Sequence, residues 1–322
     1  MSSWRASKLT VGTLRVVNYR GLANLELTDI TPLTVLLGDN GSGKSSLLDV
    51  FSFIADCFGL GLRAGWQERG GARHMKTKGS VGPVVIEVGL RERIGSGSMT
   101  YRLTIDERDR RGVVVDEQLR VHGPRCRPIE VLRSRCGKCT AVPTNSSDRP
   151  GRARQVTLRS EEALGAAVLG QLGEYPSIAA LHEFVSGWHR YEMPLKASPW
   201  PPHALASRPE GSLELVDLPE RSLHPRLHAP LAEAMREDSE RHQLFVTTHS
   251  PLLANPLRPT EVVSLARDAN GHTRAVRASD VARVMRGYGS GNTLGHMWIQ
   301  GQIHEWSSSS AAREPRTSGE LQ

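Results

Sequence analysis

The segment Gly38-Asp39-Asn40-Gly41-Ser42-Gly43-Lys44-Ser45 fits G-x-x-x-x-G-K-[ST], a spacing that gathers backbone N–H donors, one lysine and one hydroxyl around a single point. That collection suits a chain of phosphates. Gly41 and Gly43 let the backbone curl where a Cβ would clash, and the start of a following helix adds unpaired N–H groups and the positive end of its dipole. On this reading Lys44 reaches the β- and γ-phosphates and the Ser45 hydroxyl helps to hold Mg²⁺, with Gly38, Asn40, Ser42 and Ser46 completing the cradle. The cofactors expected are ATP and Mg²⁺. A hard cation also needs an acidic ligand from a neighbouring strand end, and Leu213-Glu214-Leu215-Val216-Asp217 reads as a strand that ends in one. Asp217 is therefore the candidate partner of Ser45 at the metal, with a helix N-cap or turn aspartate as the plainer alternative.

The loop needs a strand before it and a helix after it. Leu33-Thr34-Val35-Leu36-Leu37 has the composition of a buried parallel strand, and Leu47, Val50, Phe51, Ile54 and Phe58 recur at helical spacing. Strand-like runs precede it at Thr13–Val17 and Leu25–Leu27. Alternating runs follow at Val84–Val88, Tyr101–Ile105 and Val113–Val115, which predict an antiparallel meander. Helical patterns return over 160–190, where Leu164, Val168, Leu172, Leu181, Phe184 and Val185 form apolar faces. After Asp217 come a helix, the strand Leu244–Thr247 and the strand Glu261–Leu265, an alternation that indicates a parallel sheet. The polar stretch Ser307–Gln322 is expected to be disordered.

A chain of 322 residues with 38% hydrophobic residues can bury a full α/β core. It contains no run of eighteen apolar residues and no apolar signal region near Met1, so no membrane span is expected and the location expected is cytoplasmic. The formal net charge is +7, and residues 101–160 hold 14 Arg plus Lys against 7 Asp plus Glu, enough to account for the whole excess. Such a segment is a candidate DNA contact, although stacking aromatics are scarce in it, and a solvated basic lobe is the alternative. Cys136-Gly137-Lys138-Cys139 with Cys126 and His122 could supply a Cys₃His zinc set; free thiols in a basic loop are the default. Asp106, Glu107 and Asp109 read as a hairpin turn.

Asp217-Leu218-Pro219-Glu220-Arg221-Ser222-Leu223-His224-Pro225 resembles the DEPE-x-x-LHP element of ABC-like AAA-family ATPases, the group related to RecF, SMC and overcoming-lysogenization-defect proteins. Asn18-Tyr19-Arg20-Gly21-Leu22 resembles the group's N-F-R-G-F strand, Thr247-Thr248-His249-Ser250-Pro251 its TTHSP switch, and Met297-Trp298-Ile299-Gln300-Gly301 its closing LWLSG. The motifs span residues 14–301 in the family's order. The resemblance implies an α/β P-loop NTPase core of ABC-ATPase type, with a mixed or parallel sheet flanked by helices, an antiparallel β-subdomain and an inserted helical, basic lobe. The expected organisation is residues 1–120 for the first half of the core with its antiparallel subdomain, 121–211 for the inserted lobe, 212–303 for the second half of the core, and 304–322 for the tail.

Carried onto this sequence, the resemblance implies that Lys44 and Ser45 bind phosphate and Mg²⁺, that Asp217 is the Walker B carboxylate, and that His249 senses the γ-phosphate, a neutral imidazole being able to donate to the transferring group or its water. Two departures stand beside these matches. Leu218 occupies the place of the catalytic glutamate and can neither accept a proton nor orient water, so Glu220, two residues on and pointing the same way as Leu218 in a strand or extended turn, is the candidate stand-in. Pro201–Ser212 contains nothing like the family's signature loop. The expected function is a nucleotide-dependent switch in DNA repair or defence against foreign DNA, with hydrolysis weak or dependent on a partner, in a homodimer or an assembly with an effector protein. The alternative is a hydrolysis-deficient regulatory subunit that acts through a protein partner without DNA contact.

Overall fold

The run Leu33–Leu37 has no polar alternation, so as a strand it must be covered on both faces, and the computed structural model of the chain supplies that cover. The structure describes residues 5–6, 9–123, 127–143, 152–192, 200, 207–221 and 223–303. In chain order the first elements are β1 (Leu9–Tyr19), β2 (Leu22–Leu27), β3 (Leu33–Leu37), α1 (Lys44–Gly59), α2 (Leu62–Glu68) and α3 (Ala72–Met75). Then come β4 (Val84–Glu92), β5 (Ser98–Arg108), β6 (Arg111–His122), β7 (Ile129–Arg135), β8 (Lys138–Ala141), β9 (Arg154–Thr157), α4 (Gly165–Leu169) and α5 (Pro176–Ser186). The last part holds β10 (His189–Glu192), β11 (Leu213–Asp217), α6 (His228–Asp238), β12 (Gln243–Thr248), α7 (Pro251–Ala254), β13 (Val262–Arg267), β14 (Thr273–Arg277), α8 (Ala282–Gly289) and α9 (Leu294–Ile299).

These strands make two sheets. One is antiparallel, in the order β2-β1-β4-β5-β6-β7-β8-β9; the other runs β10-β11-β12-β3-β13-β14, parallel up to β13 with β14 antiparallel at its edge. In the parallel sheet, successive residues of one strand face different cores. Leu36, Phe245, Leu213 and Leu215 join α1 and the antiparallel sheet on one side. Leu33, Val35, Leu37, Val216, Leu244 and Val246 join Leu231, Ala232 and Met235 of α6 and Leu253 of α7 on the other. Helix α1 lies between the two sheets and buries Leu47, Leu48, Val50, Phe51, Phe53, Ile54, Cys57 and Phe58, which is why it is apolar nearly all round.

The antiparallel sheet continues past residue 120. Val131, Leu132, Cys139 and Ala141 are buried beside Leu119, so β7 and β8 carry the meander onward, and β9 adds an edge strand. The segment 121–211, expected as an inserted helical lobe, thus also contributes three strands to the first sheet and β10 to the second. Helix α4 stops at Leu169, and Val168 and Leu172, expected on apolar faces, are 43% and 48% exposed. The expected hairpin at Asp109 is present: Asp109 and Arg110 both adopt left-handed φ between β5 and β6. The tail from residue 304 lies outside the described residues.

Parallel register aligns the strand ends. Asp217 pairs with Thr247, Thr247 with Leu36, and Thr248 with Leu37, so the carboxyl ends of β11, β12 and β3 fall side by side where ligands of open α/β sheets bind.

Candidate functional site

Residues 38–43 turn from β3 into α1 through two left-handed glycines, Gly41 at φ 77° and Gly43 at φ 111°. A Cβ on Gly43 would overlap the Thr273 hydroxyl, so only glycine fits there with β14 this close. The carbonyls of the turn are held from outside. Arg267 Nε donates to the Gly41 carbonyl at 2.7 Å and the Thr273 hydroxyl to that of Ser42 at 2.9 Å, which ties the loop to the β13–β14 hairpin. The first N–H groups of α1 have no partner within the helix and are free to meet an anion.

Lys44 is buried and bends back over the loop, donating to the Gly38 carbonyl at 2.7 Å, the Asp39 carbonyl at 2.8 Å and Ser42 Oγ at 3.3 Å. Burial lowers its pKa to about 8 against the pull of Asp39, Asp217 and Glu220. A cleft of about 190 Å³ lies above it, lined by Asn40, Gly41, Gly43, Lys44, Ser45, Ser46, Asp217, Leu218, His249 and Arg267. Of the cradle residues expected from sequence, Gly38 and Ser42 sit beneath this cleft as acceptors for Lys44. The donor set suits a magnesium-bound polyphosphate: glycine-lined amides, a lysine whose present acceptors are two carbonyls and a hydroxyl of the loop itself, and a hydroxyl and a carboxylate facing one space.

Asp217 reaches this cleft from 173 positions away because β11 and β3 flank β12 in register. Its Oδ1 accepts from the Thr247 hydroxyl, and its Oδ2 accepts from Arg190 Nη2 at 2.7 Å. The next residue, Leu218, has φ 50°, a costly conformation for a branched side chain, fixed by donation of its N–H to Thr247 Oγ1 at 3.0 Å. The turn leaves the Leu218 side chain on the cleft wall, where a glutamate was missing from the sequence pattern.

The same turn corrects the expectation that Glu220 projects alongside Leu218, because the chain is no longer extended and period-two alternation does not apply. Glu220 is buried; its Oε1 accepts from the Thr248 hydroxyl at 2.7 Å and the His249 N–H at 3.1 Å, while its Oε2 is buried without a partner among the described residues. It braces the His249 loop and is not among the residues that line the cleft. The His249 ring sits over the 38–43 turn, with Nδ1 3.0 Å from the Gly38 carbonyl. A carbonyl can only accept, so Nδ1 carries the proton and Nε2 of the neutral ring is an acceptor. In this tautomer Nε2 can orient water as an acceptor, where the sequence reading has the ring donate. Arg190, Arg267 and Thr273 carry no spacing signal that sequence reasoning could have used.

The C-x-x-C is a hairpin turn in which Cys136 is exposed and Cys139 is buried in the core, its thiol pushed up to about 12 by burial. The two sulfurs face different surroundings, and no metal-ligating cluster exists among the described residues; Cys126 lies outside them. The arginines of 101–160 are extensively paired: Arg108 with Glu161, Arg111 with Glu162, Arg120 with Glu130, Arg133 and Arg135 with Asp116, and Arg154 with Glu174. Exposed pairs of this kind contribute roughly 0–1 kcal/mol each to stability, but they cancel much of the local charge. Among the described residues no helix is long and apolar enough to cross a membrane.

Known proteins share parts of this chain. A stretch of 53 residues is 47% identical to the DNA replication and repair protein RecF of Rickettsia akari and, equally, of Rickettsia conorii, covering 16% of this chain and 14% of each relative. The SMC head domain from Thermotoga maritima superposes with a TM-score of 0.41 at 12% identity, over 83% of this chain and 98% of that one. The Smc head domain from Pyrococcus furiosus, solved with the C-terminal domain of ScpA, gives 0.45 at 9% identity over 87% and 99%. The family model described as "AAA domain, putative AbiEii toxin, Type IV TA system" matches residues 33–137 and 199–255, half of the chain and both sides of the cleft. The chain belongs to that AAA-domain family.

Proposed function

We propose that the protein is a magnesium–ATP-binding switch with slow intrinsic hydrolysis, acting in DNA repair or in defence against foreign DNA. The observation that carries this reading is the convergence of Lys44, Ser45, Asp217 and His249 on one cleft whose wall also includes Leu218. Lys44 exchanges the Gly38 and Asp39 carbonyls for the β- and γ-phosphates, the amides at the start of α1 complete the cradle, and Ser45 and Asp217 hold the metal. Bound magnesium would neutralise charge on the β- and γ-oxygens. His249 holds water through Nε2, Glu220 fixes the backbone of that loop, and Leu218 offers no base. Turnover is therefore expected at least ~100-fold below the ~10 s⁻¹ typical of enzymes. Leu218→Glu places a carboxylate at the cleft wall and should raise turnover by roughly 10- to 100-fold, the lower part of what a positioned base contributes. Brisk turnover by the unmodified chain that Lys44→Ala abolishes would sink the slow-switch reading.

The depressed pKa of Lys44 gives binding a proton signature. In the free chain Lys44 is about half protonated at pH 8, and contact with phosphate raises its pKa, so binding takes up about half a proton there and affinity falls as pH rises further. Calorimetry at pH 8 in two buffers of different ionisation enthalpy measures the uptake; equal heats would show that Lys44 is already protonated in the free chain and that its pKa is not lowered.

A second reading, a regulatory subunit that acts through a protein partner without DNA, is favoured by the ion pairing of the 101–160 arginines. DNA binding that weakens steeply with salt separates the two, since phosphate contacts release counterions.

A further inference from the structure

Arg190 stands between two spaces. On one side its Nη2 donates to Asp217 Oδ2 at 2.7 Å, while Asp217 Oδ1 is taken by the Thr247 hydroxyl. Both oxygens that a cation would draw on are thus engaged, one of them by a full positive charge. On the other side Arg190 borders a larger cleft of about 710 Å³, whose walls hold Asp49 and Asp56, already paired with Arg20 and Arg69, together with Glu68 and His74. The contact with Asp217 is a single bond rather than a two-pronged fork, and Arg190 Nε is buried with no partner among the described residues. An arginine held by one prong, with a desolvated donor left over, gives up its position more readily than a bidentate one. The pair is only partly buried, the side chains being 27% and 20% exposed, so exchange with solvent ions is open to it.

We propose that Arg190 is a built-in counter-cation for Asp217 that sets the metal requirement of the nucleotide site. It masks the carboxylate while no divalent cation is present and gives way, toward the open space of the neighbouring cleft, when a nucleotide brings one. The inference rests on the nucleotide-binding reading above. Its consequence is opposite for the two forms of the ligand. A metal-free triphosphate meets Asp217 as a like charge, and Arg190 removes that repulsion. A metal-bound triphosphate competes with Arg190 for the same carboxylate. Taking the guanidinium away therefore drives the two affinities apart.

The test measures Kd for a ribose-labelled fluorescent ATP in excess EDTA and in millimolar Mg²⁺, and compares the ratio of the two. In Arg190→Gln the EDTA-to-magnesium ratio should rise about tenfold or more, the scale of one partly screened charge contact. Arg190→Lys, which keeps the charge, should stay within about threefold of the unmodified chain. An unchanged or smaller ratio in Arg190→Gln overturns the proposal. If that variant does not fold, Arg190→Met, which keeps the length of the side chain without its charge, serves instead: the same rise is expected, and an unchanged or smaller ratio overturns the proposal equally. Failure of the unmodified chain to bind in either condition would instead overturn the nucleotide-binding reading itself.

Discussion

Lys44→Ala is expected to weaken ATP binding by at least ~100-fold while leaving the nucleotide-free fold as stable as before. The loss follows from removing the lysine proposed to reach the phosphates, since a hydrogen bond to a charged group is worth roughly 1.5–3 kcal/mol and direct charge attraction adds to it. The unchanged stability follows from the price Lys44 exacts in the free chain. It is 5% exposed, and burial holds its pKa to about 8, so the fold keeps it at a cost. Of its acceptors, the Gly38 carbonyl retains the His249 ring and Asp39 is exposed to water, which limits what is left unsatisfied. Thermal unfolding with and without Mg-ATP separates the two effects, because ligand stabilises only the form that binds it. The unmodified chain should show a ligand-dependent rise in Tm and the variant none. A variant that keeps the rise would mean that nucleotide binds elsewhere.

Gly43→Ala should be the more disruptive change, destabilising the chain by roughly 4 kcal/mol and abolishing nucleotide binding. Two causes add: the residue has φ 111°, which an L side chain adopts only under strain, and its Cβ would overlap the Thr273 hydroxyl on β14. The second cause can be isolated. Thr273→Ala alone loses the bond to the Ser42 carbonyl, yet in the Gly43→Ala background it also removes the overlap, so the double variant should recover part of the loss. Chemical denaturation of the four forms measures that coupling. Purely additive losses would show that the hairpin does not press on the loop.

The elements around the cleft were legible because each had a local cause. The strand at Leu33–Leu37 is apolar throughout, the helix after it repeats Leu47, Val50, Phe51 and Ile54 at helical spacing, and the loop between them has a fixed pattern. The segment after residue 120 was less legible because β7 to β9 are short, arginine-rich and separated by turn residues, so their alternation covers only a few buried positions such as Val131, Leu132, Cys139 and Ala141. Glu220 was misdirected for a different reason: extended geometry was assumed for a stretch in which Leu218 turns left-handed.

Residue types and their spacing were enough to specify the phosphate cradle, its strand and helix, and Asp217 and His249 as strand-end groups. Those properties are set by neighbours within a few positions, through backbone sterics and hydrophobic period. Which groups share the cleft was decided only by folding. Parallel pairing of β11, β12 and β3 sets Asp217 beside Lys44, the β13–β14 hairpin brings Arg267 and Thr273 onto the loop, and β10 delivers Arg190 to Asp217. Such contacts join residues up to more than two hundred positions apart, as with Arg267 and Gly41, and their energy depends on distance and desolvation that no local pattern records.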